Sequence, residues 1–281
     1  MPKRIGYVDL DLDNFHAKTF LNVLRDKLAD RGCQIVGGTA LEHEPSRRWA
    51  GEMNLPYFDD IAQLDAQVDG YIILAPNNPE LHLKLCEMTF PFGKPTYVDK
   101  TFAPDLATAQ AIFTLADKHG VPVQTASALR FTNVQERVAE LGGSAAVKHI
   151  VAWSPGRSFA DYTIHPVEMV VSVMGPQARR VLRRGDDQFM QLVIDFAGDR
   201  TAIANVHLQS QTAYAAGLTT QATTEFIVVD TGAMWTSAVR DMVAFFDHGK
   251  PTIHREESLA IRKILDAAFD PRAVGAFVTL P

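Results

Sequence analysis

Five short apolar runs, each followed by a stretch of helical periodicity, constrain the fold of this chain more than any other feature. The runs lie at Arg4–Val8, Gln34–Gly38, Gly70–Leu74, Thr96–Val98 and Val121–Thr125. Helices are expected at Phe15–Asp30, Pro45–Met53, Pro79–Thr89, Asp105–His119 and Asn133–Leu141. Strand and helix in alternation argue for a parallel sheet with helices on its faces. The run Gly70-Tyr71-Ile72-Ile73-Leu74-Ala75 is almost continuously apolar, as a strand covered on both sides must be. Asp105 reads as a helix N-cap, and Lys118-His119-Gly120 as a helix end.

Past about Leu129 the pattern changes. Val147–Ser154, Ala178–Arg183, Gln188–Phe196, Thr201–Gln211 and Glu225–Val229 are strand-like, and Gly198-Asp199-Arg200 is a hairpin turn. Helices at Ser237–Phe246 and Glu256–Phe269 close the chain. The expected class is α/β: a doubly wound parallel sheet over residues 1–128, then an α+β domain with a mostly antiparallel open sheet over 129–281. In the second sheet Val193, Ile203 and Val206 are expected to offer an apolar pairing surface.

With 281 residues, 47% hydrophobic and 21% charged, the chain has room for a substantial core. A net charge of −6 without a basic run makes nucleic acid and anionic membranes poor partners. Cys33 and Cys86 lie in apolar segments and read as buried thiols. Met1-Pro2-Lys3-Arg4-Ile5 leads straight into a strand without the apolar stretch of a signal peptide, and no run approaches a membrane span. A cytoplasmic protein is expected.

Two segments carry chemistry. In Gly93-Lys94-Pro95-Thr96-Tyr97-Val98-Asp99-Lys100-Thr101-Phe102, a short strand delivers Asp99 and Lys100 to its carboxyl end, where open α/β sheets bind ligands. A lysine there can donate to, or polarise, a substrate oxygen. In Asp161-Tyr162-Thr163-Ile164-His165-Pro166-Val167-Glu168, a helix opens that is expected to run to about Met174. If helical from Asp161, the spacing puts Asp161, His165 and Glu168 on one face. A histidine beside a carboxylate suits a general base at neutral pH.

In order, these segments resemble the Gfo/Idh/MocA oxidoreductases, the glucose–fructose oxidoreductase and inositol dehydrogenase family. Its Glu-Lys-Pro signature is similar to Asp99-Lys100-Thr101, and its Asp-x-Gly-x-His-x-x-Asp element to Asp161–Glu168. Ala75-Pro76-Asn77-Asn78-Pro79-Glu80-Leu81-His82, His119-Gly120-Val121-Pro122, Leu129-Arg130-Phe131 and Phe246-Asp247-His248-Gly249-Lys250-Pro251 fall in the matching order. The resemblance implies a Rossmann-type first domain and hydride transfer between NAD or NADP and a sugar- or polyol-like substrate. It implies Lys100 and His165 as the catalytic pair, with Asp161 orienting the histidine or binding a neighbouring hydroxyl. Arg130, Tyr162 and Glu168 would line the substrate pocket. The dinucleotide would lie against Asp9, Leu10, Asp11, Asn14, Phe15, Ala75, Pro76, Asn77, His82, Asp99 and Lys100. A homodimer or homotetramer is expected through the second sheet.

The first turn departs from this pattern. A dinucleotide site wants G-x-G-x-x-G, so that backbone amides approach the pyrophosphate at a helix N-terminus. Here the run is Gly6-Tyr7-Val8-Asp9-Leu10-Asp11-Leu12-Asp13-Asn14-Phe15, with no glycine in the turn and three aspartates. Asp13 or Asn14 is expected to cap the helix and occupy its amides. After the second strand Ala40 stands where an acidic residue should bind ribose, with Glu42 or Glu44 as substitutes. Thr163 replaces a glycine beside His165. Asp9, Asp11 and Asp13 alternate as in a calcium loop, but the sixth and twelfth positions hold Asn14 and Phe20, so no metal is expected. A cofactor-free binding or regulatory protein, and cofactor-independent acid–base or lyase chemistry, stand as alternatives.

Overall fold

The computed structural model describes residues 2–281. The chain forms two units, one comprising residues up to Ala126 with Trp235–His254, the other Ser127–Met234 with Arg255–Pro281. The break at Ala126 lies two residues before the expected boundary, and residues 235–254 return to the first unit.

The first unit is a five-stranded sheet in the order β2-β1-β3-β4-β5, parallel throughout. Its strands are β1 (Lys3–Asp9), β2 (Cys33–Ala40), β3 (Gly70–Ile73), β4 (Thr96–Val98) and β5 (Val123–Gln124). Between them run α1 (Phe15–Asp26), α2 (His43–Glu52), α3 (Ile61–Asp65), α4 (His82–Thr89) and α5 (Leu106–His119). The expected caps of α5 form: Asp105 accepts the Thr108 amide, and Gly120 closes the helix at φ +65°. Ile5, Tyr7, Ile72 and Leu74 are buried with Phe20, Leu21 and Leu24 of α1. Val239, Met242, Val243, Phe245 and Phe246 join the same core. They come from α9 (Thr231–His248), whose residues from Trp235 onward belong to this unit.

Gly70 opens β3 in a space with no room for a side chain. A Cβ there would sit 2.8 Å from the Pro95 carbonyl oxygen, in the segment entering β4, and 2.9 Å from the Phe246 ring. A backbone neighbour cannot swing aside, so Gly70→Ala is expected to cost about 1–3 kcal/mol through overpacking. Urea denaturation checks this, and a midpoint unchanged from wild type would refute it.

The second unit holds seven strands in the order β11-β10-β6-β9-β8-β7-β12. They are β6 (His149–Gly156), β7 (Ala178–Gly185), β8 (Phe189–Phe196), β9 (Arg200–Leu208), β10 (Ala215–Thr219), β11 (Thr224–Val228) and β12 (Val278–Thr279). All neighbours are antiparallel except β6 and β9. The helices are α6 (Asn133–Glu140), α7 (Phe159–Tyr162), α8 (Ile164–Met174) and α10 (Arg255–Phe269). Helices α8 and α10 pack on the sheet. Ile150, Leu192, Ile194, Ala202 and Ala204 face them, with Val167, Val170 and Val171 of α8 above. Val206 is on this buried face at 0% exposure, so it does not join the pairing surface expected of it. Val193 and Ile203 face each other across β8 and β9 and are half-buried. The helix expected to run unbroken from Asp161 is α7 and α8, joined at Thr163.

Among the described residues no helix is long and apolar enough to cross a membrane.

Candidate functional site

The carboxyl edge of the parallel sheet gathers the predicted residues of the first unit. Asp9 ends β1 and is 1% exposed. Its Oδ1 accepts the amides of Leu10 (2.7 Å) and Ala75 (2.8 Å), and its Oδ2 accepts from the Asn14 carboxamide at 2.8 Å. Burial raises the Asp9 pKa to about 7, against the downward pull of those three hydrogen bonds, with Asp99 adding to the rise. Asn14 is the N-cap of α1 in extended backbone, and its Oδ1 accepts the amides of His16 and Ala17, each at 3.0 Å. The cap rule therefore resolves to Asn14 rather than Asp13. Asp11 receives the Asp13 amide (3.0 Å) and the Ser46 hydroxyl (3.2 Å), while Leu12 donates to Ser46 at 3.0 Å. Leu10 is half-buried and Phe15 is 64% exposed. Past β2, the amides of Leu41 and Glu42 donate to the Asp9 and Leu10 carbonyls. Ala40 is buried, whereas the Glu42 and Glu44 residues are exposed.

Beyond β3, Ala75 is buried in left-handed backbone at φ +59°, its amide fixed by Asp9. Pro76 is half-buried and Asn77 exposed. His82, at the start of α4, is fully buried with Nδ1 3.0 Å from the Phe102 carbonyl and Nε2 facing that of Leu74. It ties two loops together and presents no side-chain atom to a ligand. Past β4, Asp99 Oδ1 accepts the Lys100 amide at 2.8 Å, and Lys100 Nζ donates to the Pro76 carbonyl at 3.1 Å. Asp99 Oδ2 lies 2.6 Å from His16 Nδ1, out of line for a directed hydrogen bond. Burial alone would raise the Asp99 pKa, but the facing His16 and then Lys100 outweigh it and hold the carboxyl below its usual range. Phe15, Phe20 and Trp235 stand edge-on around His16.

In the second unit, His165 sits in the first turn of α8 with Nδ1 2.9 Å from the Ser127 hydroxyl. Its ring is edge-on to Tyr162 and Tyr214. Asp161 does not orient it: the Asp161 carboxylate accepts from Ser158 Oγ, the N-cap of α7, at 2.6 Å. Ser127, absent from the sequence expectations, takes that place. It precedes the turn carrying Arg130, and a serine three residues before that arginine is the signal it leaves in the sequence. Arg130 Nε donates to Glu168 at 2.6 Å and Nη1 to Glu257 at 2.7 Å. The three side chains are 10%, 4% and 18% exposed. Burial raises the Glu168 pKa, the Arg130 charge and hydrogen bond pull it back, and the net direction is upward. Arg130 Nη2 is buried with no acceptor among the described residues.

A dinucleotide pyrophosphate at this edge needs free amides at the start of α1. The amides of Leu10, Leu12, Asp13, Asn14, His16 and Ala17 already donate within the chain. Three carboxylates stand in the same turn. The turn does not fit a pyrophosphate as it stands. Among the described residues no group of three or more His, Cys, Asp or Glu is placed to hold a metal ion.

Residues 13–127 match the family model described as an oxidoreductase family with NAD-binding Rossmann fold, Gfo/Idh/MocA. A myo-inositol dehydrogenase, Hyg17, from Streptomyces leeuwenhoekii is 28% identical over 147 residues, which is 47% of this chain and 45% of that protein. The match thus spans less than half of that relative. Among solved structures, scyllo-inositol dehydrogenase from Lactobacillus casei with bound NAD(H) and scyllo-inositol superposes with a TM-score of 0.81, at 15% identity over 99% of each chain. Myo-inositol 2-dehydrogenase from Lactobacillus plantarum gives 0.81 at 13% identity over 100% of both chains. UDP-N-acetylglucosamine 3-dehydrogenase from Acidithiobacillus ferrooxidans gives 0.77 at 15% identity over 98% of both. The structural likenesses show the shared fold along the whole chain. Residues 13–127 match the Rossmann segment of the Gfo/Idh/MocA oxidoreductase family, and the match to that family's model is confined to this part of the chain.

Proposed function

We propose that this protein is an oxidoreductase that interconverts a hydroxyl and a carbonyl on a sugar- or polyol-like small molecule, with NAD or NADP as its redox partner. The observation that carries the reading is Lys100, 9% exposed at the carboxyl end of β4 and aimed at the Pro76 carbonyl. An amine held there by a backbone carbonyl has further donors with which to meet a reacting oxygen. The family match supports the reaction class, and the names of the relatives support polyols and sugars. They weigh against a cofactor-free binding protein.

His165 supplies the base. In the tautomer in which the Ser127 hydroxyl accepts the proton of Nδ1, 2.9 Å away, Nε2 is the basic nitrogen of the ring. That nitrogen would take the proton of a substrate hydroxyl, and the role of Lys100 would be to donate to a reacting oxygen. Tyr162, edge-on to the ring, would limit how a substrate meets it. Arg130 Nη2 is a buried donor whose guanidinium is already anchored at two other nitrogens, so it suits a substrate oxygen. Glu168 then acts by holding Arg130. Asp161, engaged with Ser158, suits a neighbouring hydroxyl better than the imidazole. Association into a homodimer or homotetramer through the outer face of the second sheet, and a cytoplasmic location, belong to the same reading.

The test is a screen of inositols, other polyols and sugars for formation of reduced nicotinamide. Lys100→Ala and His165→Ala are each expected to lower turnover by about 10²–10⁴-fold, the usual worth of positioned acid–base groups. Turnover by both variants at the wild-type rate would refute the assignment.

A further inference from the structure

The first turn of the Rossmann unit is the place where the family assignment and the chemistry of this chain diverge. In that fold the amides at the start of the first helix receive the cofactor pyrophosphate. Here Asn14 Oδ1 sits on two of them, at 3.0 Å from both His16 and Ala17. Its Nδ2 is held from behind by Asp9 Oδ2 and the Asp11 carbonyl, each at 2.8 Å. Every polar atom of the Asn14 side chain is thereby used. Asp9 is in turn fixed by the Leu10 and Ala75 amides, so the whole brace is anchored in β1 and the end of β3. A second layer closes over it: Ser46 of α2 takes the Leu12 amide and donates to Asp11.

We propose that Asn14, braced by Asp9, occupies the pyrophosphate position of this turn and keeps the unit's affinity for nicotinamide dinucleotides low. A pyrophosphate has to displace the carboxamide from both amides and approach Asp9 and Asp11. Two unit charges about 4 Å apart repel by about 4 kcal/mol at an effective dielectric of 20. A helix N-terminus returns about 0.3–1 kcal/mol per anion at exposed sites. Repulsion therefore outweighs what the helix end offers. The near-neutral pKa of Asp9 fits the same arrangement, because a buried carboxylate with a neutral brace lacks a counter-charge of its own. The inference rests on the Rossmann assignment of residues 13–127 and not on the choice of substrate.

Calorimetric titration of the full chain with NADH and NADPH tests it. Asn14→Gly removes the brace at little cost to the helix, since glycine is a tolerated N-cap and the φ of −138° suits it. This variant is expected to bind at least one of the two dinucleotides tenfold or more tightly than wild type. Asp11→Gly, which leaves the carboxamide in place, is expected to gain less. Circular dichroism confirms that the variants fold. If Asn14→Gly binds no more tightly than wild type, or neither protein binds, the brace is not what limits affinity and the proposal falls. Tight wild-type binding with turnover would keep the oxidoreductase and overturn the brace. Tightened binding in the variant without turnover on any polyol would do the reverse.

Discussion

Replacing Arg130 by methionine is expected to destabilise the second unit by about 3–5 kcal/mol. The guanidinium is 10% exposed and serves two carboxylates, Glu168 at 2.6 Å and Glu257 at 2.7 Å. Making such a cluster gains little, because desolvating the ions offsets their attraction. Breaking it from one side is another matter. Two carboxylates are then left without a counter-charge in a site built to exclude water, and removal of one partner from a buried pair costs about 3–5 kcal/mol. Glu168 relieves part of this by taking a proton, since burial already holds its pKa above the usual value. The loss should therefore be larger at pH 8 than at pH 5. Arg130→Met with Glu168→Gln should recover part of the stability that Arg130→Met alone loses. Urea denaturation of the single and double variants at both pH values measures these differences. A single variant within 1 kcal/mol of wild type at pH 8 would mean that the three charges are not coupled.

The cluster also marks where sequence reading runs out. Arg130, Glu168 and Glu257 are separated by 38 and 127 positions, and no local pattern announces that they meet. Elements whose signal is local were legible. Strand β4 falls at Thr96–Val98 as expected, and the α10 helix lies within one residue of its expected start. Asn14 as a cap follows from the preference of short polar side chains for helix amides. Strand β10, Ala215–Thr219, was not anticipated because Ala-Ala-Gly-Leu-Thr lacks both bulk and alternation, yet it pairs on both sides. The apolar stripe of α9 predicts burial but not which core receives it, and Val239, Met242 and Phe246 join the first unit. The same limit separates the residue types at the site from their partners. Lys100 and His165 stand out by motif. The Ser127 contact that fixes the His165 ring, and the Asp9 contact behind Asn14, exist only after folding.

Asp9 should make the stability of the first unit fall as pH rises from about 4 to about 7. Its pKa is 3.8 in an ordinary setting and about 7 in the folded protein. Between those values the folded state holds a proton that the unfolded chain has released, so stability declines with rising pH. Roughly three pH units at about 1.4 kcal/mol each put the effect at up to about 4 kcal/mol, fully felt above pH 7. Two other buried carboxyls, Asp99 and Glu168, are distinguishable from Asp9 by the direction of their shift or by their unit. Asp99 is shifted the opposite way, so its contribution is present above the ordinary carboxylate range and lost only as pH falls below it. Glu168 shifts upward like Asp9 but belongs to the other unit. Asp9→Asn keeps an oxygen for the Leu10 and Ala75 amides and turns a second donor toward Asn14, so it breaks the brace while removing the charge. It should be no more stable than wild type at pH 5, where Asp9 is largely protonated, and more stable at pH 8. Urea midpoints across this range give the comparison. Parallel pH curves for the two proteins would show that Asp9 is ionised throughout, and that its three hydrogen bonds, not burial, set its charge. The sign of the difference at pH 8 therefore decides whether the brace over α1 is maintained at the expense of stability.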